Sequence, residues 1–141
     1  MNILFLCTGN SCRSQMAEGW AGQFAPAGWT IQSAGIEAQG KNPHAIAVMA
    51  EAGVDISAQE SIAVTDAMFE AVDLVVTVCG HADEHCPVLP AGTRKEHWPL
   101  DDPGRASGTR EEIMVAFRDT WAEVGERVQA LIQRLVQEAA A

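Results

Sequence analysis

The run Asn2-Ile3-Leu4-Phe5-Leu6-Cys7-Thr8-Gly9-Asn10-Ser11-Cys12-Arg13-Ser14 decides the fold. Its first six residues are mostly apolar and stop abruptly at turn-forming residues, which suits a short strand buried on both faces. Gly9 and Asn10 turn the chain. From Ser14 to Phe24, the residues Met16, Ala17, Trp20, Ala21 and Phe24 recur on one side, as in a helix. A strand, a tight loop and a helix in that order form an anion cradle. Successive backbone N–H groups of the loop point inward, and the helix N-terminus adds unpaired donors and partial positive charge. Arg13 offers a two-pronged grip on a tetrahedral oxyanion. The same positive field is expected to make Cys7 a thiolate at neutral pH, with Ser14 donating a hydrogen bond to its sulfur. A thiolate beneath a bound oxyanion is placed for in-line attack. The plainer reading is that Cys7 is a small hydrophobe at a strand end. The spacing of Cys7, Gly9 and Arg13-Ser14 in a strand–loop–helix setting favours the chemical one.

Outward from this stretch, strands and helices alternate. Trp29–Ala34 reads as a second strand closed by Gly35. Pro43 starts a helix to about Ala52, with Gly53 just past its end. Thr65-Asp66 begins a short helix toward Ala71. Asp73–Cys79 is the most uniformly apolar strand, and Thr93–Trp98 a poorer fourth. Glu111–Glu138 reads as a long helix carrying Ile113, Phe117, Trp121, Val124, Val128, Leu131 and Leu135 at three- and four-residue spacing. Such alternation implies an α/β fold with a parallel sheet and right-handed crossovers, in which ligands bind beyond the carboxyl ends of the strands. Two apolar strands end at cysteines, Cys7 and Cys79, which puts two thiols at that edge.

Composition bounds the function. The 141 residues form one domain, 1–141, long enough to bury a core. At 48% hydrophobic and 20% charged, the chain is neither disordered nor fibrous. Net charge is −10, and Lys41 and Lys95 are the only lysines, so a nucleic-acid-binding face is not expected. No apolar run approaches the length of a membrane span, and Met1–Cys7 is too short and wrongly flanked for a signal peptide. The expectation is a cytoplasmic protein that binds no membrane. Its four cysteines should then be reduced thiols, more chemical than structural.

The Cys-x5-Arg-Ser motif near the N-terminus resembles that of the low-molecular-weight protein tyrosine phosphatases. The chain is more similar still to their relatives, the thioredoxin-coupled arsenate reductases. Val75-Val76-Thr77-Val78-Cys79-Gly80, Cys86-Pro87, and Glu96-His97-Trp98-Pro99-Leu100-Asp101-Asp102-Pro103 stand in order where that subfamily's pattern has them. The resemblance implies a three-layer fold, a four-stranded parallel sheet with helices on both faces. It implies that Thr8, Gly9, Asn10, Ser11, Cys12, Arg13 and Ser14 bind substrate. It also implies a cascade. Cys7 attacks arsenate; Cys79 then attacks Cys7 and expels arsenite; Cys86 attacks Cys79, leaving a Cys79–Cys86 disulfide for thioredoxin to reduce. Asp102, held extended by the following proline, would be the general acid. Were Cys79–Cys86 continuous helix, their Cα atoms would lie about 10 Å apart, against roughly 4.4–6.8 Å in a disulfide. Bonding them therefore requires local unwinding, which Gly80 and the polar stretch His81–His85 favour.

Other readings compete. Cys79, His81, His85 and Cys86 are zinc-ligand types, but their spacing matches no common structural zinc site, and no metal is expected. His81 and His85 read as solvated loop residues. Cys12 reads as a packing thiol outside the cascade. In some arsenate reductases Asn10, Glu18, Ser33 and a further acidic residue line a potassium site; Ile62 stands where that last residue is expected. A phosphotyrosine phosphatase would share Cys7, Arg13 and Asp102. It would give Cys79 and Cys86 no role, and this chain has no tyrosine for a pocket rim. A non-catalytic oxyanion sensor would need neither nucleophile nor acid. Arsenate, thioredoxin and a monomeric state are the expectations, with weak residual phosphatase activity.

Overall fold

The computed structural model describes residues 1–140. Four strands form one parallel sheet: β1 (Asn2–Cys7), β2 (Thr30–Gly35), β3 (Leu74–Thr77) and β4 (Arg94–His97), in the spatial order β2-β1-β3-β4. Between and after them run α1 (Arg13–Phe24), α2 (Pro43–Glu51), α3 (Asp66–Ala71), α4 (Gly80–Glu84) and α5 (Arg110–Ala140). The strand order reverses direction at β1 and β3, so the crevice beyond their carboxyl ends is the switch point where such sheets bind ligands.

The central strands are apolar throughout because both faces are covered; Ile3 to Leu6 and Leu74 to Val76 are fully buried. β4 is one of the two edge strands, and its exposed Arg94 and Lys95 discourage further pairing. α5 packs along α1, burying Phe117, Val124, Val128, Leu131 and Leu135, with Met114 and Ile132 beside them. It also meets α2, where His44 packs on Phe117 with ring centroids 5.3 Å apart. Right-handed crossovers put α3 and α4 on the other face.

Several boundaries differ from expectation. The strand expected over Asp73–Cys79 is shorter. Val78 N–H still donates to Leu6 O at 2.9 Å, but Cys79 has left the sheet to cap α4, its sulfur accepting from Ala82 N–H. Phe24 is not part of the buried side of α1. It is exposed and stacks on half-buried Trp20, whereas Ser14, Gln15 and Gly19 are buried because the first turns of α1 are enclosed by the loop segments around them.

Candidate active site

The cradle is built by the way the Cys7–Arg13 loop spends its carbonyls. Cys7 O, Thr8 O, Gly9 O and Ser11 O accept from Ile36, Glu37, Gln39 and Asn42 N–H at 2.9–3.1 Å. Asn10 O accepts from Gln15 Nε2, and Cys12 O from Met16 N–H. Among the described residues, the N–H groups from Gly9 to Arg13 have no protein acceptor. The loop thus turns its acceptors outward and leaves its donors for an anion. Two positions make the turn possible. Asn10 has φ +50, a left-handed conformation that asparagine tolerates. At Gly35 a Cβ would meet Glu37 O at 2.2 Å and Thr8 O at 2.8 Å, so only glycine lets the two segments approach.

The side chains of Asn10 and Ser14 do not line the cavity; both residues are fully buried behind it, so a contact of theirs with an oxyanion would run through backbone N–H. Asn10 Nδ2 donates to Ser14 Oγ and Ser33 Oγ, each at 2.9 Å. No Ser14–Cys7 hydrogen bond is present among the described residues; the Ser14 hydroxyl is turned to Asn10 instead. Gln15, fully buried and unnoticed in the sequence, is a second brace. Its Nε2 donates to Asn10 O (3.1 Å), Asn10 Oδ1 (3.1 Å) and Glu60 O (2.9 Å).

These contacts bear on potassium. Asn10 Oδ1 already accepts from Gln15 and from Ile62 N–H at 3.0 Å. Ile62 supplies an apolar side chain and a donor where a ligand oxygen would be needed. Ser33 Oγ donates to Glu18 Oε1 at 2.6 Å. The residues present do not fit a potassium site.

In front of the loop, a cavity of about 330 Å³ is lined by Cys7, Thr8, Gly9, Ser11, Cys12 and Arg13. Gln39, Asn42, Asp102, Gly104 and Arg105 complete its wall. Arg13 is buried. Its Nη1 donates to Leu100 O at 2.9 Å, and Nη2 lies 3.7 Å from Asp102 Oδ2. Its Nε is buried without a protein partner, a donor to spare for an oxyanion. Asp102 accepts from Gly104 N–H at 2.9 Å, which fixes its carboxylate at the start of the 3-10 turn Pro103–Arg105.

Cys79 stands beside this cavity, in an adjoining one of about 400 Å³ that shares Thr8, Arg13, Asp102 and Arg105 with it. The ionisation of the two thiols is linked. The neighbouring Cys79 and burial push the Cys7 pKa up against the pull of Arg13. Cys79 is held below the ordinary thiol range by the neighbouring Cys7 and, against burial, by Thr8 Oγ1 and Ala82 N–H. The thiolate expected on Cys7 alone is therefore not found; its ionisation is tied to that of Cys79. Cys12 is buried and pushed up to about 11, chiefly by desolvation, as suits a packing thiol.

Cys86 follows the last turn of α4, half-buried, and burial raises its pKa. All four cysteines are free thiols. His81 is not a loop residue. It lies on α4 with its Nδ1 3.1 Å from Thr8 Oγ1, and its ring centroid is 4.2 Å from that of His85. Among the described residues, no group of three or more histidine, cysteine or acidic side chains is assembled for a metal. No helix among them is long and apolar enough to cross a membrane. The rim residues Gln39 and Asn42 lie between β2 and α2, where no periodic pattern pointed to a site.

Comparison with known proteins agrees with this geometry. Residues 2–141 match the family described as low molecular weight phosphotyrosine protein phosphatase. An arsenate reductase of Bacillus subtilis (strain 168) is 51% identical over 127 residues, 90% of this chain and 91% of that protein. One from Halalkalibacterium halodurans is 48% identical over 131 residues, 93% of this chain and 94% of its own. A solved structure described as an arsenate reductase in the phosphate binding state superposes with a TM-score of 0.77 at 36% identity, covering 94% of this chain and 97% of its own. The chain therefore belongs to the low molecular weight phosphotyrosine protein phosphatase family, and its resemblance within that family is to the arsenate reductases.

Proposed function

We propose that this chain, acting as a single-domain monomer in the cytoplasm, reduces arsenate to arsenite with electrons from thioredoxin. The observation that carries the reading is the second thiol: Cys79 stands at the edge of the oxyanion cradle, its Sγ 3.2 Å from the hydroxyl of Thr8, the residue that follows Cys7 in the loop. Ester hydrolysis has no use for it. In the proposed sequence the free N–H groups and Arg13 hold the oxyanion, and Cys7 Sγ bonds to arsenic while Asp102 protonates the departing oxygen. Cys79 Sγ then attacks Cys7 Sγ. The arsenic–sulfur bond breaks with its electron pair left on arsenic, which departs as arsenite. Cys86 attacks Cys79 and frees Cys7, and thioredoxin reduces the resulting Cys79–Cys86 disulfide. That last bond requires α4 to bend, and five helical residues hold little helix stability of their own.

A phosphatase reading shares the cradle, which fits any tetrahedral oxyanion. The cavity wall beyond the loop is Gln39, Asn42, Asp102, Gly104 and Arg105, with no aromatic side chain to stack on a phenyl ring. That favours a small inorganic oxyanion. The test is arsenate turnover with purified thioredoxin and its reductase, beside the same assay with glutathione and glutaredoxin. Turnover with thioredoxin alone supports the proposal. Turnover only with glutaredoxin overturns the donor, and none with either, alongside efficient phosphotyrosine hydrolysis, overturns the reaction.

A further inference from the structure

Three residues meet on the Cys79 side of the site. Thr8 Oγ1 lies 3.2 Å from Cys79 Sγ and 3.1 Å from His81 Nδ1. A hydroxyl has one proton to donate and lone pairs to accept with. Two arrangements therefore satisfy these contacts. With Cys79 ionised, Thr8 donates to the sulfur and His81 Nδ1–H donates to Thr8. With Cys79 protonated, its S–H donates to Thr8, and Thr8 donates to an unprotonated Nδ1. Passing from the second to the first carries a proton from sulfur to imidazole without moving a heavy atom.

The reaction needs such a path. Cys79 must be a thiolate to attack Cys7. Burial opposes its ionisation, and the hydrogen-bond partners of its sulfur are Ala82 N–H at 3.4 Å and Thr8 Oγ1. Only Thr8 leads to a group that takes up a proton, and imidazole is the side chain whose ordinary titration falls between pH 5 and 8.

We infer that His81 is a positioning residue for the second nucleophile, accepting through Thr8 the proton that Cys79 loses before it attacks Cys7. The inference rests on the arsenate-reduction reading above. Cys79 S–H gives its proton to the Thr8 oxygen, and the Thr8 hydroxyl proton passes to His81 Nδ1. The sulfur electron pair forms the bond to Cys7 Sγ, and the broken sulfur–arsenic pair leaves with arsenite. Because His81 is exposed, the imidazolium returns its proton to water.

The charges around His81 are mixed. Arg13 and Arg105 line the same cavity and oppose its protonation, while Asp101 and Asp102 favour it. His85 Nδ1 donates to His81 O at 2.8 Å and holds that end of α4. Lys95 and His97 engage Asp83 instead. Among the described residues, His81 alone of these has a hydrogen-bonded route to Cys79.

The test uses the full-length protein, reduced and then given arsenate without a reductant. First-turnover arsenite release, followed from about pH 5.5 to 9.5, reads the Cys79 step. The wild-type rate should rise through an inflection between pH 5 and 8. His81→Ala keeps α4 helical, since alanine is a good helix former. His81→Gln keeps a polar group toward Thr8 but takes no proton. Both should be at least about tenfold slower at pH 7, short of the 10²–10⁴ of direct proton transfer. Both should also lose the inflection and rejoin the wild type near the top of the range, above the ordinary thiol pKa. Wild-type rates in either variant, or slow release with the inflection kept, overturn the assignment while leaving the cascade standing. No arsenite from the wild type overturns the cascade, and this inference with it.

Discussion

The loop that holds Cys7 and the segment that holds Cys79 and Cys86 follow neighbouring strands, yet they are built to opposite standards. Every carbonyl from Cys7 to Cys12 is engaged, and Asn10, Ser14 and Gln15 are fully buried behind the loop. Such a loop has one conformation, and its donors wait for an anion without reorganising. The Cys79 segment is a five-residue helix whose residues are mostly exposed, tied to the sheet chiefly through Asp83. Asp83 Oδ1 accepts from Thr77 Oγ1 at 3.1 Å and pairs with Lys95 Nζ at 2.7 Å. The difference matches the two tasks proposed for these regions. An oxyanion has to be met by a rigid cradle, whereas a relayed disulfide would have to travel, and the helix that carries it would have to yield.

The comparison can be broken most severely at the cradle. Cys7→Ser should abolish arsenate reduction and any phosphatase activity while the thermal transition stays near that of the wild type, because a serine hydroxyl at its free pKa is a far poorer nucleophile. A Cys7→Ser protein that reduces arsenate at the wild-type rate would remove the cradle from the chemistry. Asp102→Asn comes next. With its hydrogen bond to Gly104 N–H retained, kcat should fall by about 10²–10⁴ for the loss of a general acid. An unchanged kcat would move that role, with Asp101 the first candidate.

Much of the cradle was legible in the sequence because its signals are local. A six-residue apolar run, Gly9 and Asn10 at the turn, and Arg13-Ser14 opening a helix all fall within thirteen consecutive residues. The Cys79 segment was less legible. A run of apolar residues through Cys79 reads as strand to its end, and nothing in it marks the point where the chain leaves the sheet to cap a helix. His81 touches Thr8 across 73 positions, and Gln15 reaches Glu60 across 45. Such contacts are set by the packing of whole elements, which no short pattern encodes.

Gln15 sharpens the contrast at an intermediate scale. Gln15→Ala should lower unfolding free energy by about 1–3 kcal/mol, since it strands buried acceptors on Asn10 and Glu60. It should also raise KM for arsenate as the loop loses its brace, which steady-state kinetics beside a denaturant titration would read. A KM unchanged despite lost stability would show that the cradle does not depend on its support.

The smallest effect is expected at α4. The Lys95 hydrogen bond holds the Asp83 carboxyl below its usual range. A carboxylate lowered on folding contributes stability above its unfolded pKa and loses it as pH falls through the folded value. Asp83→Asn should therefore cost no more than about 0.2–1 kcal/mol at neutral pH, the range for exposed ion pairs. The difference from wild type should begin to shrink as pH falls past about 4 and be gone only below the lowered folded value. The same variant should form the Cys79–Cys86 disulfide faster after arsenate, because its helix is less firmly held. Slower formation would mean that α4 must stay folded for the relay.

The most direct test of the division between cradle and relay is the fate of the thiols in Cys86→Ser after arsenate, read by mass spectrometry with free thiols alkylated. One equivalent of arsenite should be released, and the protein should stop with Cys7 bonded to Cys79, because no thiol remains to resolve them. Continued turnover of Cys86→Ser with thioredoxin as the only donor, or an absence of any arsenate-dependent Cys7–Cys79 disulfide, would contradict it.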